Sequence, residues 1–260
     1  MPKLTDHQSG AFVKLLFIGD SGTGKTGSLT SLVAAGYTLK ILDFDNGLDA
    51  LKQWVGKECP DKLANVDYET VRDTVTASTG GPKVKAEAYI KSLKLMSEWP
   101  DGSNPAEGGP NEIFVVDSLT TLGKAALEWA KAMNPTAKDG RQWYFAAQQS
   151  LENVIAMLTS ETFHANLILI SHINYKELEE DGMNKGYPSA VGSKMGPTIP
   201  KYFNTMIQAE TKGSGKSLRR TIRTLPSAMI DNKNPAPFKL QDEYDLGTGL
   251  AEIFKGLKSL

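Results

Sequence analysis

Cysteine is almost absent. Cys59 is the single one in 260 residues, which excludes a disulfide framework and fits a reducing, intracellular setting. Neither sign of charge is in excess: 29 Lys and Arg face 30 Asp and Glu, a formal net charge of −1. No global basic field advertises nucleic acid, so any such contact has to come from local loops. No apolar run approaches the roughly 18–20 residues that span a bilayer, and Met1–Gly10 has no signal-peptide core. These two absences lead us to expect a soluble, cytoplasmic chain with no membrane contact. Cys59, His7 and His164 are scattered without zinc-binding spacing. No Asn-Lys-x-Asp stretch reads guanine, which weighs against a GTPase. There is no internal repeat or low-complexity tract, and the length suits one α/β domain with a sizeable core.

What is present is a run that organises the rest. Gly19-Asp20-Ser21-Gly22-Thr23-Gly24-Lys25-Thr26 fits G-x-x-x-x-G-K-[ST], the phosphate-binding P-loop. The apolar run Val13–Ile18 before it reads as a buried strand, and Thr26–Ala35 after it as the opening of a helix. Such a loop aims backbone N–H groups and a positive helix end at a polyphosphate. Residues Gly19 to Gly27 are therefore the expected nucleotide-binding set. Lys25 is expected to reach the β and γ phosphates, and the Thr26 hydroxyl to ligate Mg²⁺. ATP and Mg²⁺ are the expected ligands.

Along the chain, residues 1–11 read as a polar N-terminal arm and 12–260 as one domain. Strands are expected at Leu39–Phe44, Val66–Val71, Ile113–Val116 and Leu167–Ile170. Helices are expected over Leu48–Val55, Ala86–Trp99, Leu119–Ala132 and Trp143–Ser160. Pro100–Pro110 reads as a surface loop. Tyr175–Pro200 has no sustained period, and a structureless loop of that length inside a compact domain points to function. Phe203–Ala209 and Leu218–Leu225 read as a hairpin, Phe238–Leu240 as a last short strand, and Leu250–Leu260 as a terminal helix. Strands alternating with helices imply an α/β fold, with a mostly parallel sheet covered on both faces and a C-terminal antiparallel extension.

Three positions at strand ends carry candidate chemistry, as expected where ligands sit at the carboxyl ends of parallel strands. Asp117 closes the apolar strand Ile113–Val116 and is a candidate Mg²⁺-organising carboxylate beside Thr26. Position 118 is Ser rather than Glu, so an activating carboxylate has to come from elsewhere. Asp45, after Leu39–Phe44, is the leading candidate to orient an attacking water. Asp43 faces the same side if the strand stays extended, and both residues also suit a turn at Asn46-Gly47. His172, after Leu167–Ile170, is placed to sense a γ-phosphate, although a lone loop histidine is often structural. The catalytic set is thus Lys25, Asp45 and His172, and the metal set Thr26 and Asp117.

The order of Leu42-Asp43-Phe44-Asp45-Asn46-Gly47-Leu48-Asp49, Phe114-Val115-Val116-Asp117-Ser118 and Leu167–His172 behind the P-loop resembles the core of the RecA-like recombinase superfamily. Within it, the chain looks like the short phage-type AAA/RecA-core ATPases that act as single-strand annealing proteins. The resemblance covers about Phe12 to Leu240. It implies a water-activating role for Asp45 and a coupling role for His172, where larger relatives carry Glu and Gln. It also implies a homo-oligomer, ring or filament, with ATP shared between subunits, and single-stranded DNA as partner. A single-strand-binding protein stays open as a further partner, and a phage origin would mean the host cytoplasm.

The resemblance places a DNA-binding loop at Tyr175–Pro200. That stretch contains Lys176, Lys185 and Lys194 with Tyr175 and Tyr187, the cations and rings that hold single strands. Its acids, Glu177, Glu179, Glu180 and Asp181, repel phosphate and favour the second half, Gly182–Pro197. The densest basic cluster, Lys212, Lys216, Arg219, Arg220 and Arg223, suits nucleic acid, a neighbour's ATP site or a solvated hairpin. Lys185, Tyr187, Lys194, Arg219 and Arg220 are the candidate nucleic-acid contacts. Gly213-Ser214-Gly215-Lys216-Ser217 imitates a P-loop tail but lies between strands and lacks the first glycine. Two other readings stay open: a nucleotide-gated DNA-binding or loader protein with little turnover, and a small-molecule kinase.

Overall fold

The computed structural model describes residues 11–177, 182 and 184–259. Most of the expected N-terminal arm, and Glu179, Glu180 and Asp181, lie outside the described residues. The chain begins with β1 (Lys14–Gly19), α1 (Lys25–Ser28), α2 (Thr30–Ala34), β2 (Thr38–Asp43), α3 (Asp49–Glu58) and β3 (Val66–Thr70). A small hairpin of β4 (Thr74–Thr76) and β5 (Lys83–Lys85) follows, then α4 (Ala88–Ser97) and β6 (Gly109–Asp117). Next come α5 (Leu119–Met133), α6 (Arg141–Thr159) and β7 (Ala165–Ser171). A second hairpin pairs β8 (Ile173–Glu177) with β9 (Asn184–Pro188) and leads into α7 (Gly192–Met195). The chain closes with β10 (Thr205–Lys212), β11 (Arg219–Arg223), β12 (Glu243–Asp245) and α8 (Gly249–Lys258).

Eight strands form the main sheet in the order β12-β11-β10-β1-β7-β6-β2-β3. From β10 to β3 every pairing is parallel, and β11 and β12 extend the sheet antiparallel. Side-chain alternation sorts each central strand onto two faces. Leu16, Ile18, Phe114, Val116, Leu167 and Leu169 pack with α4, α5 and α6. Leu15, Phe17, Ile113, Val115, Ile168 and Ile170 pack on the other face with α2, α3 and α8. Both faces are dry, which is why these strands read as unbroken apolar runs. Each such side chain stabilises the fold by roughly 1.5–3 kcal/mol.

Two buried polar side chains inside the sheet, Asn166 and Lys40, are matched with partners. Asn166 is fully buried. Its Oδ1 accepts from the Val13 amide at 3.1 Å, and its Nδ2 donates to the carbonyls of Pro110 and Glu112 at 2.9 Å each. One amide thus ties together the entries of β1, β6 and β7. Lys40 lies buried on β2 and pairs with Glu112 at 3.0 Å, with Ser103 Oγ accepting at 2.6 Å.

Three expectations need correction. Tyr175–Pro200 is not a structureless loop: its described residues form most of the β8–β9 hairpin, then α7 and a 3-10 segment at Gly196–Tyr202. Gly186 donates to the Met229 carbonyl at 2.8 Å, which ties β9 to the body of the domain. The last strand is Glu243–Asp245 rather than Phe238–Leu240, because Tyr244 is the residue that turns inward. Phe238 is 100% exposed on a turn. The single helix expected after the P-loop is two short ones meeting at Leu29.

Candidate nucleotide site

The site lies at the carboxyl ends of β1, β2, β6 and β7, around the P-loop. Thr23 closes the loop on itself, donating through its amide (3.3 Å) and hydroxyl (2.8 Å) to the Asp20 carbonyl. Gly24 stands at φ 92°, a left-handed conformation that costs a side chain dearly. It also has no room, since a Cβ there would lie 2.6 Å from Leu246 Cδ2. The buried Lys25 ammonium donates to the carbonyls of Gly19 (2.8 Å) and Asp20 (2.9 Å). Burial pulls the Lys25 pKa down, while the carboxylates of Asp117, Asp20 and Asp45 push it back up.

Thr26 Oγ1 donates to Asp117 Oδ2 at 2.5 Å, which brings the expected metal pair together. Asp117 is buried at the end of β6. Burial raises its pKa to about 6, with Asp45 and Asp43 adding to the rise and Thr26 and Lys25 opposing it. The two oxygens are hard donors beside one another. Among the described residues no cluster of three or more His, Cys, Asp or Glu surrounds them. One carboxylate with a hydroxyl beside it fits Mg²⁺, which keeps several waters and takes phosphate oxygens.

Asp43 and Asp45 part company. Asp43 is buried, and its Oδ1 accepts from the Gly47 amide at 3.2 Å, so it shapes the turn in which Asn46 adopts φ 54°. Asp45 is exposed on the cleft side, and its Oδ1 accepts from the Thr121 hydroxyl on α5. His172 lines the same cleft from the end of β7. Its amide donates to Thr120 Oγ1 at 3.1 Å, and its Nδ1 stands 3.3 Å from the same oxygen. Burial first, and then Lys25, lowers its pKa, which favours the neutral ring. Lys25, Thr26, Asp45, Asp117 and His172 therefore share one open cleft of ≈ 790 Å³, together with Ser21, Gly22, Gly24 and Gly27.

The basic candidates divide. Lys185 pairs with Asp231 at 2.6 Å. Tyr187 lies on β9 with the Lys176 ammonium 5.5 Å from its ring, and Lys194 is exposed on α7. Arg219 and Arg220 lie elsewhere, lining the cleft of their own P-loop from β11.

Sequence reading passed over several residues here. Thr120 and Thr121 open the helix after Asp117, where two adjacent hydroxyls one turn from a strand-end carboxylate were the available signal. Trp54, 45% exposed on α3, lies 3.6 Å from where a Cβ of Gly27 would be and lines the cleft. Tyr175 on β8 donates to Asp20 Oδ2 at 3.2 Å, across 155 residues of chain.

A family model described as an AAA domain matches residues 11–236. No curated protein matches the chain. Among solved structures it is similar to a KaiC-like protein from Pyrococcus horikoshii, at 12% identity over 81% of this chain and 78% of that one, with a TM-score of 0.41. It is also similar to the flagellar accessory protein FlaH from Methanocaldococcus jannaschii, at 13% identity, 90% and 83% coverage and a TM-score of 0.42. A third similar structure is an ATPase from the type III secretion system of pathogenic bacteria, at 13% identity, 78% and 54% coverage and a TM-score of 0.42. The fold is α/β, with a mostly parallel central sheet, an antiparallel extension at one edge and the P-loop at the carboxyl end of β1. Because the family match runs from just before β1 to beyond β11, it takes in every parallel strand and the whole P-loop, and the chain belongs to the AAA domain family.

Proposed function

We propose that this chain is an ATPase that binds single-stranded DNA, couples that binding to nucleotide state, and promotes annealing or strand exchange as an assembly of several copies. The observation that carries the reading is the physical link between the cleft and the β8–β9 hairpin. His172 lines the cleft one residue before β8 begins, and Tyr175 on β8 donates to Asp20 in the P-loop. A change at the phosphates therefore has two routes to the hairpin, along the chain from His172 and across the Tyr175–Asp20 hydrogen bond.

In this reading the P-loop amides and Lys25 hold the triphosphate. Thr26 and Asp117 would hold Mg²⁺, which supplies charge neutralisation at the phosphate oxygens. Asp45, anchored by Thr121, orients a water toward the γ-phosphorus and accepts its hydrogen bond as the new P–O bond forms. The bond to the β–γ bridging oxygen breaks, giving ADP and inorganic phosphate. Neutral His172 offers a ring N–H to a γ-phosphate oxygen and loses that partner after hydrolysis. Tyr187, Lys176 and Lys194 supply the stacking and cationic surface for the strand. Lys185 contributes less, since Asp231 already neutralises it.

The test is ATP hydrolysis with and without single-stranded DNA, with Asp45→Asn as control. Turnover that rises with DNA and collapses in the variant supports the reading. Turnover indifferent to both removes the DNA-coupled mechanism. ATP-dependent retention of DNA without turnover replaces it with a nucleotide-gated binder.

A further inference from the structure

One wall of the cleft comes from the antiparallel extension, far from the P-loop in sequence. Pairing carries it there: Gly19 at the end of β1 lies beside Ala209 on β10, and Thr211 on β10 lies opposite Arg220 on β11. Arg220 shares a face of β11 with Ile222, which is fully buried and packs in the same core as Leu246 and α8. That is the face on which the helix after the P-loop lies. Arg220 is exposed and reaches back along this face. Its Cδ stands 3.4 Å, and its Nε 3.9 Å, from the point a Gly24 Cβ would occupy.

The backbone beneath it is fixed. The Leu246 amide donates to the Arg220 carbonyl at 3.1 Å, and the Gly247 amide to Asp245 Oδ1 at 2.8 Å. Among the described residues Arg220 makes no salt bridge, whereas its neighbour Lys212 pairs with Glu210 and Glu243. An arginine fork with no acidic partner, set against a phosphate-binding loop, is matched to phosphate oxygens in geometry and in charge.

We propose that Arg220 binds the phosphates of the nucleotide held by its own chain, a cation supplied in cis from β11 rather than to a neighbour's site. This rests on the nucleotide reading above and goes beyond it by assigning the residue and the chain it serves. The position of Arg220 in the cleft lining beside the P-loop of its own chain, with its Cδ 3.4 Å from the point a Gly24 Cβ would occupy, is what sets cis against trans. Arg220 is then a binding residue for the β- and α-phosphates, beside Lys25, and has no partner in a nucleoside that lacks them.

The experiment titrates the full chain with a fluorescent ADP and, by competition, with adenosine. It compares wild type, Arg220→Ala, Arg220→Lys and Lys25→Ala. We expect Arg220→Ala to weaken ADP at least tenfold, Arg220→Lys to lose part of that, and adenosine to compete equally with both. Arg220 is exposed, so unfolding temperatures should match wild type. ADP affinity unchanged in Arg220→Ala, while Lys25→Ala abolishes binding, overturns the proposal and leaves the nucleotide reading standing. A wild-type chain that binds no ADP overturns both. An equimolar mixture of Arg220→Ala and Lys25→Ala chains separates cis from trans. We expect its intact P-loops to keep the weak affinity, and recovery of wild-type affinity in the mixture overturns the cis assignment.

Discussion

The Tyr175 hydroxyl donates to the Asp20 carboxylate at 3.2 Å, so the hairpin after β7 is fastened to the second residue of the P-loop. Burial, followed by the Asp20 charge, pushes the Tyr175 pKa up to about 12. The hydroxyl therefore keeps its proton, and the link its donor, throughout the neutral and mildly alkaline range. Tyr175→Phe removes the link without changing ring volume. A hydrogen bond to a charged carboxylate, about 1.5–3 kcal/mol, predicts that amide exchange in β8 and β9 speeds by roughly 10- to 100-fold. Exchange rates equal to wild type would mean that the contact holds nothing.

Asp117 should reveal itself through pH. Its pKa rises from 3.8 in the unfolded chain to about 6 in the folded one. Between those values the folded state binds the extra proton, so this group's contribution to stability is full below pH 3.8 and lost as pH rises through 6. Asp117→Asn, without nucleotide or metal, is expected to be more stable than wild type at pH 8 by about 1–3 kcal/mol. The two should converge toward pH 4. Denaturant midpoints at the two pH values decide it, and a gain that persists at the lower pH would refute the burial account.

Thr121 is expected to matter for turnover although it lies outside every motif. Its hydroxyl holds the Asp45 carboxylate, and hydrogen bonds to charged groups contribute about 1.5–3 kcal/mol, or roughly 10- to 100-fold in rate. Thr121→Val should lower kcat by that factor with KM for ATP nearly unchanged, and Thr121→Ser should restore most of it. Steady-state kinetics on the three proteins make the check. A change confined to KM would assign Thr121 to binding instead.

Asn166→Ala removes three hydrogen bonds at once and strands the Val13 amide with the Pro110 and Glu112 carbonyls. Buried groups left unpaired make this expensive, and we expect a loss of about 3 kcal/mol in urea denaturation. A loss under about 1 kcal/mol would mean that water replaces the amide.

The central strands were legible because burial on both faces leaves a continuous apolar signature, as in Ile113–Val116 and Leu167–Ile170. The P-loop was legible because its glycines and Lys25 answer to local geometry. The hairpin after His172 was not, since Ile-Asn-Tyr-Lys-Glu and Asn-Lys-Gly-Tyr-Pro alternate weakly and pair only with each other. Glu243–Asp245 was missed because one inward tyrosine is all that marks it. Arg219 and Arg220 read as a charge run, and only the strand order, β1 beside β10 beside β11, brings them to the P-loop. Thr120 and Thr121 act through contacts with loops more than 50 residues away in the chain. Such pairings are products of topology, and local composition is silent about them.

The two margins of the main sheet have a bearing on solubility. One is β12, only three residues long, with Glu243 and Asp245 on either side of its inward tyrosine. The other is β3, five residues long, carrying Asp67 and Glu69. Few peptide groups are left unpaired at either margin, and carboxylates stand beside those that are. A second copy approaching strand to strand meets a short template and like charge. Fibrillar stacking through these two margins is therefore discouraged even at high concentration.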